Sequence, residues 1–190
     1  MIKKTILVAV ATSSVAVIAL AHGGATGIVK ERMDAMMAMG ASVKAVAPMM
    51  RREIPYDAEV VKSAAQVFAT HSGEAMTKLF PEGSGGGASD ATPEVWSEWE
   101  RFEGLAAQLE TYANGLAMAA GNGLSESDNG QMGTGMMMGA GSASSMMGST
   151  GMMGGFAEPM MDFAEIPVDM AFNMVAQTCA SCHAAFREKE

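Results

Sequence analysis

The chain has 190 residues, 12 Lys and Arg against 21 Asp and Glu, and a formal net charge of −9. That balance excludes a nucleic-acid binder, which needs clustered cations against phosphate, and favours encounter with basic partners. Ala and Met are abundant while β-branched residues are sparse, so the ordered parts are expected to be helical.

The first 21 residues read as an export signal. Met1-Ile2-Lys3-Lys4 is a short basic stretch, Thr5 to Ile18 is apolar, and Ala19-Leu20-Ala21 is a small-residue cleavage site. The apolar stretch is shorter than the ~20 residues of a spanning helix, and Thr12, Ser13 and Ser14 interrupt it. The expectation is therefore a signal peptide over 1–21 and an exported protein starting at His22, periplasmic in a bacterium and without stable membrane insertion. Taking 21 residues from 190 leaves 169, enough for one domain around a single core, and losing Lys3 and Lys4 moves the charge from −9 to −11.

Four helical segments follow in chain order. The first is expected over about 25–46, with Ile28, Met36, Met39 and Val43 at helical spacing, closed by Pro48 and Pro55. The second starts from Asp57 as N-cap and runs to about Leu79 through Val60, Val61, Ala64, Val67, Phe68 and Met76, with Gly73 weakening its end. A Gly/Ser loop covers 83–89. Thr92-Pro93 then opens a third helix to about Ala120, carrying Val95, Trp96, Trp99, Phe102, Leu105, Leu109, Tyr112 and Leu116. The fourth runs from about Val168 to Arg187 through Phe172 and Val175. No stretch alternates with period two long enough for a sheet. Four helices of about twenty residues make an all-α, antiparallel four-helix bundle.

Between the third and fourth helices lies Gly121 to Met161, dominated by Gly, Ser and Met, with Met136-Met137-Met138, Met146-Met147, Met152-Met153 and Met160-Met161. A connection this long is uncommon in a bundle, and its glycine density makes packing entropically costly, so the expectation is a flexible insert. Soft thioethers also suit Cu(I), which makes copper binding an alternative reading of this segment.

The fourth helix carries the most informative residues, Cys179-Ala180-Ser181-Cys182-His183, a C-x-x-C-H that attaches a c-type haem. Two thiols three residues apart add across the two haem vinyl groups, and the adjacent histidine supplies an imidazole ligand to iron. On a helix, positions i, i+3 and i+4 share a face, so Cys179, Cys182 and His183 meet one porphyrin. A redox dithiol expects a βαβ context that is missing here. A zinc site needs a second ligand pair, and His22 and His71 are not suitably spaced. A disulfide between these two cysteines leaves His183 without a purpose.

Taken with Val29-Lys30-Glu31-Arg32, Pro55-Tyr56-Asp57, Leu79-Phe80-Pro81-Glu82-Gly83-Ser84, Pro93-Glu94-Val95-Trp96 and the closing Phe186-Arg187, the motif resembles the class II cytochromes c, the group of cytochrome c′ and the low-spin cytochromes c-556. The resemblance covers the chain from about Gly27 onward, apart from the insert. It implies haem c held near one end of the bundle by the last helix. It also implies that the other haem face meets the first helix four residues after Arg32, at Met36. High-spin members carry a non-ligating apolar residue there, whereas low-spin members look to use methionine. Spacing alone leaves Met33, Met37 and Met39 as alternatives to Met36, and core filling as another reading. Arg32 and Arg187 match family arginines near the haem, where they would pair with its propionates or lie solvated on the helix surface.

The reading that follows is an electron carrier, not an enzyme, with His183 and Met36 as axial ligands and redox proteins, basic ones in particular, as partners. The alternative is a five-coordinate protein binding small gases such as nitric oxide or carbon monoxide. The family commonly dimerises through its first two helices, so a homodimer is one assembly that the resemblance allows.

Overall fold

A computed structural model describes residues 24–126 and 162–188, and these are helical with one isolated bridge pair. The first helix, α1, spans Gly27–Met50. It runs past the expected stop at Val46 with Pro48 inside its last turn, where the missing N–H costs the bond to the Lys44 carbonyl and burial of Val46 and Met49 holds the turn against the core. The stop comes at Arg52, which takes a left-handed φ of 58°. The Arg52 amide bonds to the Met49 carbonyl at 3.0 Å and the Glu53 amide to the Pro48 carbonyl at 2.9 Å, closing the free carbonyls of the final turn. The buried stripe is Arg32, Ala35, Met39, Val46 and Met49, with Met36 and Val43 partly buried beside it.

Asp57 caps α2 (Ala58–Thr70) as expected, accepting from the amides of Glu59 at 2.9 Å and Val60 at 3.3 Å. The single helix expected to reach Leu79 divides, however, and α3 (Gly73–Thr77) follows as a separate turn. Gly73 has φ +56°, a conformation open to glycine and strained for residues with a Cβ, so the α2 helix cannot continue through it. The third expected helix also divides, into α4 (Glu94–Ser97) and α5 (Trp99–Ala119). Glu98, at φ −114° and ψ 42°, ends one piece and starts the other: its amide reaches the Glu94 carbonyl, and its carbonyl accepts from Arg101 and Phe102. The last helix, α6, spans Val168–Phe186.

Hydrogen bonds fix the directions. Tyr56 Oη donates to the Ala120 carbonyl at 2.5 Å, and Arg52 donates to the Ser125 carbonyl, so the end of α1, the start of α2 and the end of α5 share one pole. Asp169 joins them by accepting from the Ser125 amide and hydroxyl at 2.9 and 2.6 Å, which brings in the start of α6. The long segments are therefore antiparallel neighbours. The core is built where α5 packs between α2 and α6, with α1 laid on α2. Val46, Val61, Phe68, Phe102, Leu116, Val168 and Val175 are fully buried there.

The junction also includes the first residues of the expected insert. Residues 121–126, assigned to the flexible insert, are ordered: Asn122 Nδ2 donates to the Ile166 carbonyl at 2.7 Å, and the Val168 amide to the Gly123 carbonyl at 3.0 Å. The rest of the insert, the expected signal peptide and His22 lie outside the described residues. Among the described residues no helix is long and apolar enough to cross a membrane.

Candidate functional site

While α5 fills the space between α2 and α6, α1 and α6 barely touch. At the pole opposite the Ser125–Asp169 junction a cavity of about 340 Å³ opens between them. That lies within the roughly 300–1,000 Å³ of ligand pockets. From α1 come Arg32, Met33, Met36 and Met37, and from α6 Cys182, His183 and Phe186, followed by Arg187. Phe80, Val95 and Phe102 complete an apolar wall. Phe102 organises it, with its ring centre 4.8 Å from that of Phe80 and 5.5 Å from that of Phe186, both edge-on.

Five of the six residues singled out in the sequence, Arg32, Met36, Cys182, His183 and Arg187, thus line one cavity. The sixth, Cys179, lies one turn before Cys182 on the same face of α6, half-buried against the core. Both thiols are free. Burial pushes both up, and burial with the neighbouring Cys179 takes Cys182 to about 11. Catalytic dithiols go the other way, towards a reactive thiolate, so the redox-dithiol reading finds no support. His183 is pushed down, by burial first and then by the Arg187 charge, which favours the neutral imidazole needed for metal ligation. Among the described residues no three or more His, Cys, Asp or Glu groups are placed to hold a metal ion by themselves.

Arg32 is 4% exposed, on the buried stripe of α1 rather than its surface. Its guanidinium donates to Ser89 Oγ at 3.0 Å, to the Ser84 carbonyl at 3.0 Å and to Ser84 Oγ at 2.7 Å. Its Nε is buried with no partner, and no carboxylate among the described residues pairs with it. Burial lowers its pKa, the direction expected of a cation without a counter-charge. Ser84, quoted in the sequence only as the end of the Leu79–Ser84 stretch, and Ser89 had no role assigned there, because a Gly/Ser loop acquires a purpose only once the arginine that it must satisfy is known to be buried. The same loop is pinned from the other side. The Thr92 amide bonds to the Phe186 carbonyl at 3.0 Å and the Glu188 amide to the Asp90 carbonyl at 2.8 Å, while Arg187 reaches Asp90 at 3.4 Å.

These features fit haem. An apolar slot with a buried, uncompensated cation at one corner suits a flat apolar macrocycle that carries carboxylates at its edge. The thiols and imidazole of α6 are the groups needed to tether it and bind its iron. His71, by contrast, caps α2 and has no place in the cavity.

The family model for cytochrome c′ matches residues 27–140, which ends before α6, so the haem motif stands on its own residues. Cytochrome c-556 of Agrobacterium fabrum is 35% identical over 92 residues, 48% of this chain and 62% of that protein. The match thus spans less than two thirds of that relative's length. Cytochrome c′ of Pararhodospirillum photometricum is 34% identical over 106 residues, 55% of this chain and 80% of that protein. In fold, the chain is similar to cytochrome c′ of Rhodopseudomonas palustris, with TM-score 0.58, 22% identity and coverage of 87% of this chain and 99% of that one. It is also similar to a nitric oxide complex of a cytochrome c prime variant from Alcaligenes xylosoxidans, with TM-score 0.56, 24% identity and coverage of 86% and 94%.

Proposed function

The chain belongs to the cytochrome c′ family, whose cofactor is covalent haem c, and on that premise we propose that it is a periplasmic electron carrier. The observation that carries this reading is that Met36 of α1 and His183 of α6 line one cavity. When bound, haem c supplies a one-electron iron couple. Cys179 and Cys182 tether it by thioether bonds, so the cofactor is not lost between redox cycles. His183 ligates through its neutral imidazole, which burial and Arg187 favour. Met36 offers a thioether from the other wall, and a His/Met pair raises the reduction potential.

If both His183 and Met36 ligate, no position would be open for a substrate and little would rearrange between oxidation states. The aromatic wall of Phe80, Phe102 and Phe186 keeps water from the centre. Arg32, a buried cation with one N–H unpaired, would hold a propionate, and Arg187 would be the second candidate, since both line the cavity. The periplasmic location rests on the signal-like residues 1–21, and a transient basic redox partner rests on the acidic charge.

The second reading is gas binding, which the apolar cavity beside His183 favours if Met36 does not ligate. Optical spectra of the holoprotein, oxidised and reduced, with and without carbon monoxide, decide between the two. A low-spin six-coordinate spectrum unaltered by the gas, and converted to high spin in Met36→Ala, is expected. A high-spin ferrous spectrum that shifts at once with carbon monoxide removes Met36 as a ligand and establishes gas binding.

A further inference from the structure

Beside the haem cavity lies a second depression of about 390 Å³, lined by Trp96, Pro93, Glu82, Glu188 and the edge of the glycine loop. Ala91 lines both, so the two depressions are neighbours. The Trp96 indole is fixed in place, with its Nε1 donating to the Phe80 carbonyl at 3.0 Å and the Pro81 carbonyl at 3.1 Å. Phe80 is itself a wall of the haem cavity. Gly85 lies so close to the indole that a Cβ there would come within 2.8 Å of two ring carbons. The loop is therefore built around this ring, and Gly83, Gly85 and Gly86 leave its rim without side chains. Glu82 and Glu188 are both exposed, come from opposite strands of chain, and have no basic partner among the described residues.

We infer that this notch receives an arginine side chain of a basic redox partner. A guanidinium stacks on an indole face and pairs with carboxylates in the same plane, and the two chemistries meet here and in no other depression described. A hard metal ion fits poorly, because it takes six or more oxygen ligands and the notch offers two carboxylates beside apolar surface. The acidic chain draws a basic partner in from a distance, and the notch fixes where it lands, beside the cavity proposed for haem. The inference rests on the electron-carrier reading, since only that gives the site next to the cofactor its purpose.

The test is binding of a tri-arginine amide peptide to the ¹⁵N-labelled ferrous holoprotein under carbon monoxide, followed by NMR. That state is diamagnetic whether or not Met36 ligates, so failure of the notch and failure of the electron-carrier reading are told apart: the optical spectrum decides the latter. Peptide-induced shifts are expected at the Trp96 indole N–H and the Gly85 and Gly86 amides. The double variant Glu82→Gln/Glu188→Gln is expected to weaken binding at least fivefold. Glu59→Gln/Glu165→Gln, with the same charge change near the opposite pole, is expected to weaken it less than twofold. Both notch carboxylates are exposed and their side chains hold no part of the fold, so folding of the variant is not at risk. Equal weakening in the two variants, or shifts scattered away from Trp96, would show general charge attraction only and overturn the inference.

Discussion

The Arg32 guanidinium lies over the Phe80 ring, 4.3 Å from its centre, so the one buried cation of α1 rests on an aromatic wall of the haem cavity. Stacking and three serine contacts hold the arginine, yet its Nε stays unpaired. On the proposed haem reading, replacing it with glutamine would remove a positive charge beside the cofactor and would leave a propionate without its counter-charge. Both effects favour the ferric state. Arg32→Gln is therefore expected to lower the midpoint potential by a few tens of millivolts, corresponding to on the order of 1 kcal/mol. A redox titration measures it. An unchanged potential would reduce Arg32 to a clamp for the Ser84–Ser89 loop.

At the other pole Asp169 gives the fold an acid-sensitive joint. Burial alone would push its carboxyl up, but the Ser125 hydroxyl and amide, its own backbone N–H and the Arg52 charge together hold it below the usual range. A carboxyl lowered in the folded state stabilises above its unfolded pKa, near 4, and that contribution disappears as pH falls through the folded value. Asp169→Asn is thus expected to cost about 1 kcal/mol at pH 7 and much less at pH 3. Urea unfolding of the two proteins at both pH values measures the difference, and an equal loss at pH 3 would mean that the carboxylate charge is irrelevant.

What was legible in the sequence followed from local chemistry. Asp57 capped α2 and Cys179-x-x-Cys182-His183 lay on one helix face, because capping and i, i+3, i+4 spacing depend on a few neighbouring residues. What was not legible depended on distant ones. Arg32 looks like a surface residue until the serine loop, 52 and 57 residues away, is brought over it. The ordered stretch 121–126 has the composition of the insert, and only its bonds to Ile166, Val168 and Asp169 separate it. Pro48 ended α1 on paper but not in space, because the burial of Val46 and Met49 that holds the last turn depends on distant helices.

Gly73 shows the same principle in reverse, as a single residue that divides a helix. Its φ of +56° penalises any Cβ, and an added one would also meet the Glu110 carboxylate, although that side chain can swing aside. Gly73→Ala is expected to destabilise by about 1–2 kcal/mol. Gly40, in the middle of α1 with open space around it, is the control, and Gly40→Ala is expected to stabilise by about 0.5–1 kcal/mol. Denaturant midpoints compare them. Similar shifts in the two variants would show that the α2–α3 break does not depend on backbone conformation.

The insert is tied at both ends to the pole that lacks the haem cavity. Ser125 and Asn122 on one side bond to Asp169 and Ile166 on the other, so described residues alone join the end of α5 to the start of α6. From Asp169 to His183 is fourteen residues of α6, about 21 Å at 1.5 Å per residue. Replacing 127–161 by a six-residue Gly/Ser linker is therefore expected to leave the optical spectrum and carbon monoxide response unchanged. Closing a shorter loop is expected to add about 1–2 kcal/mol of stability. A changed spectrum would mean that the segment acts on the haem site despite its distant root. The same variant tests copper: a Cu(I) affinity equal to that of the full chain would remove the paired methionines as a metal site, whereas its loss would assign them one, independent of the cytochrome to which they are attached.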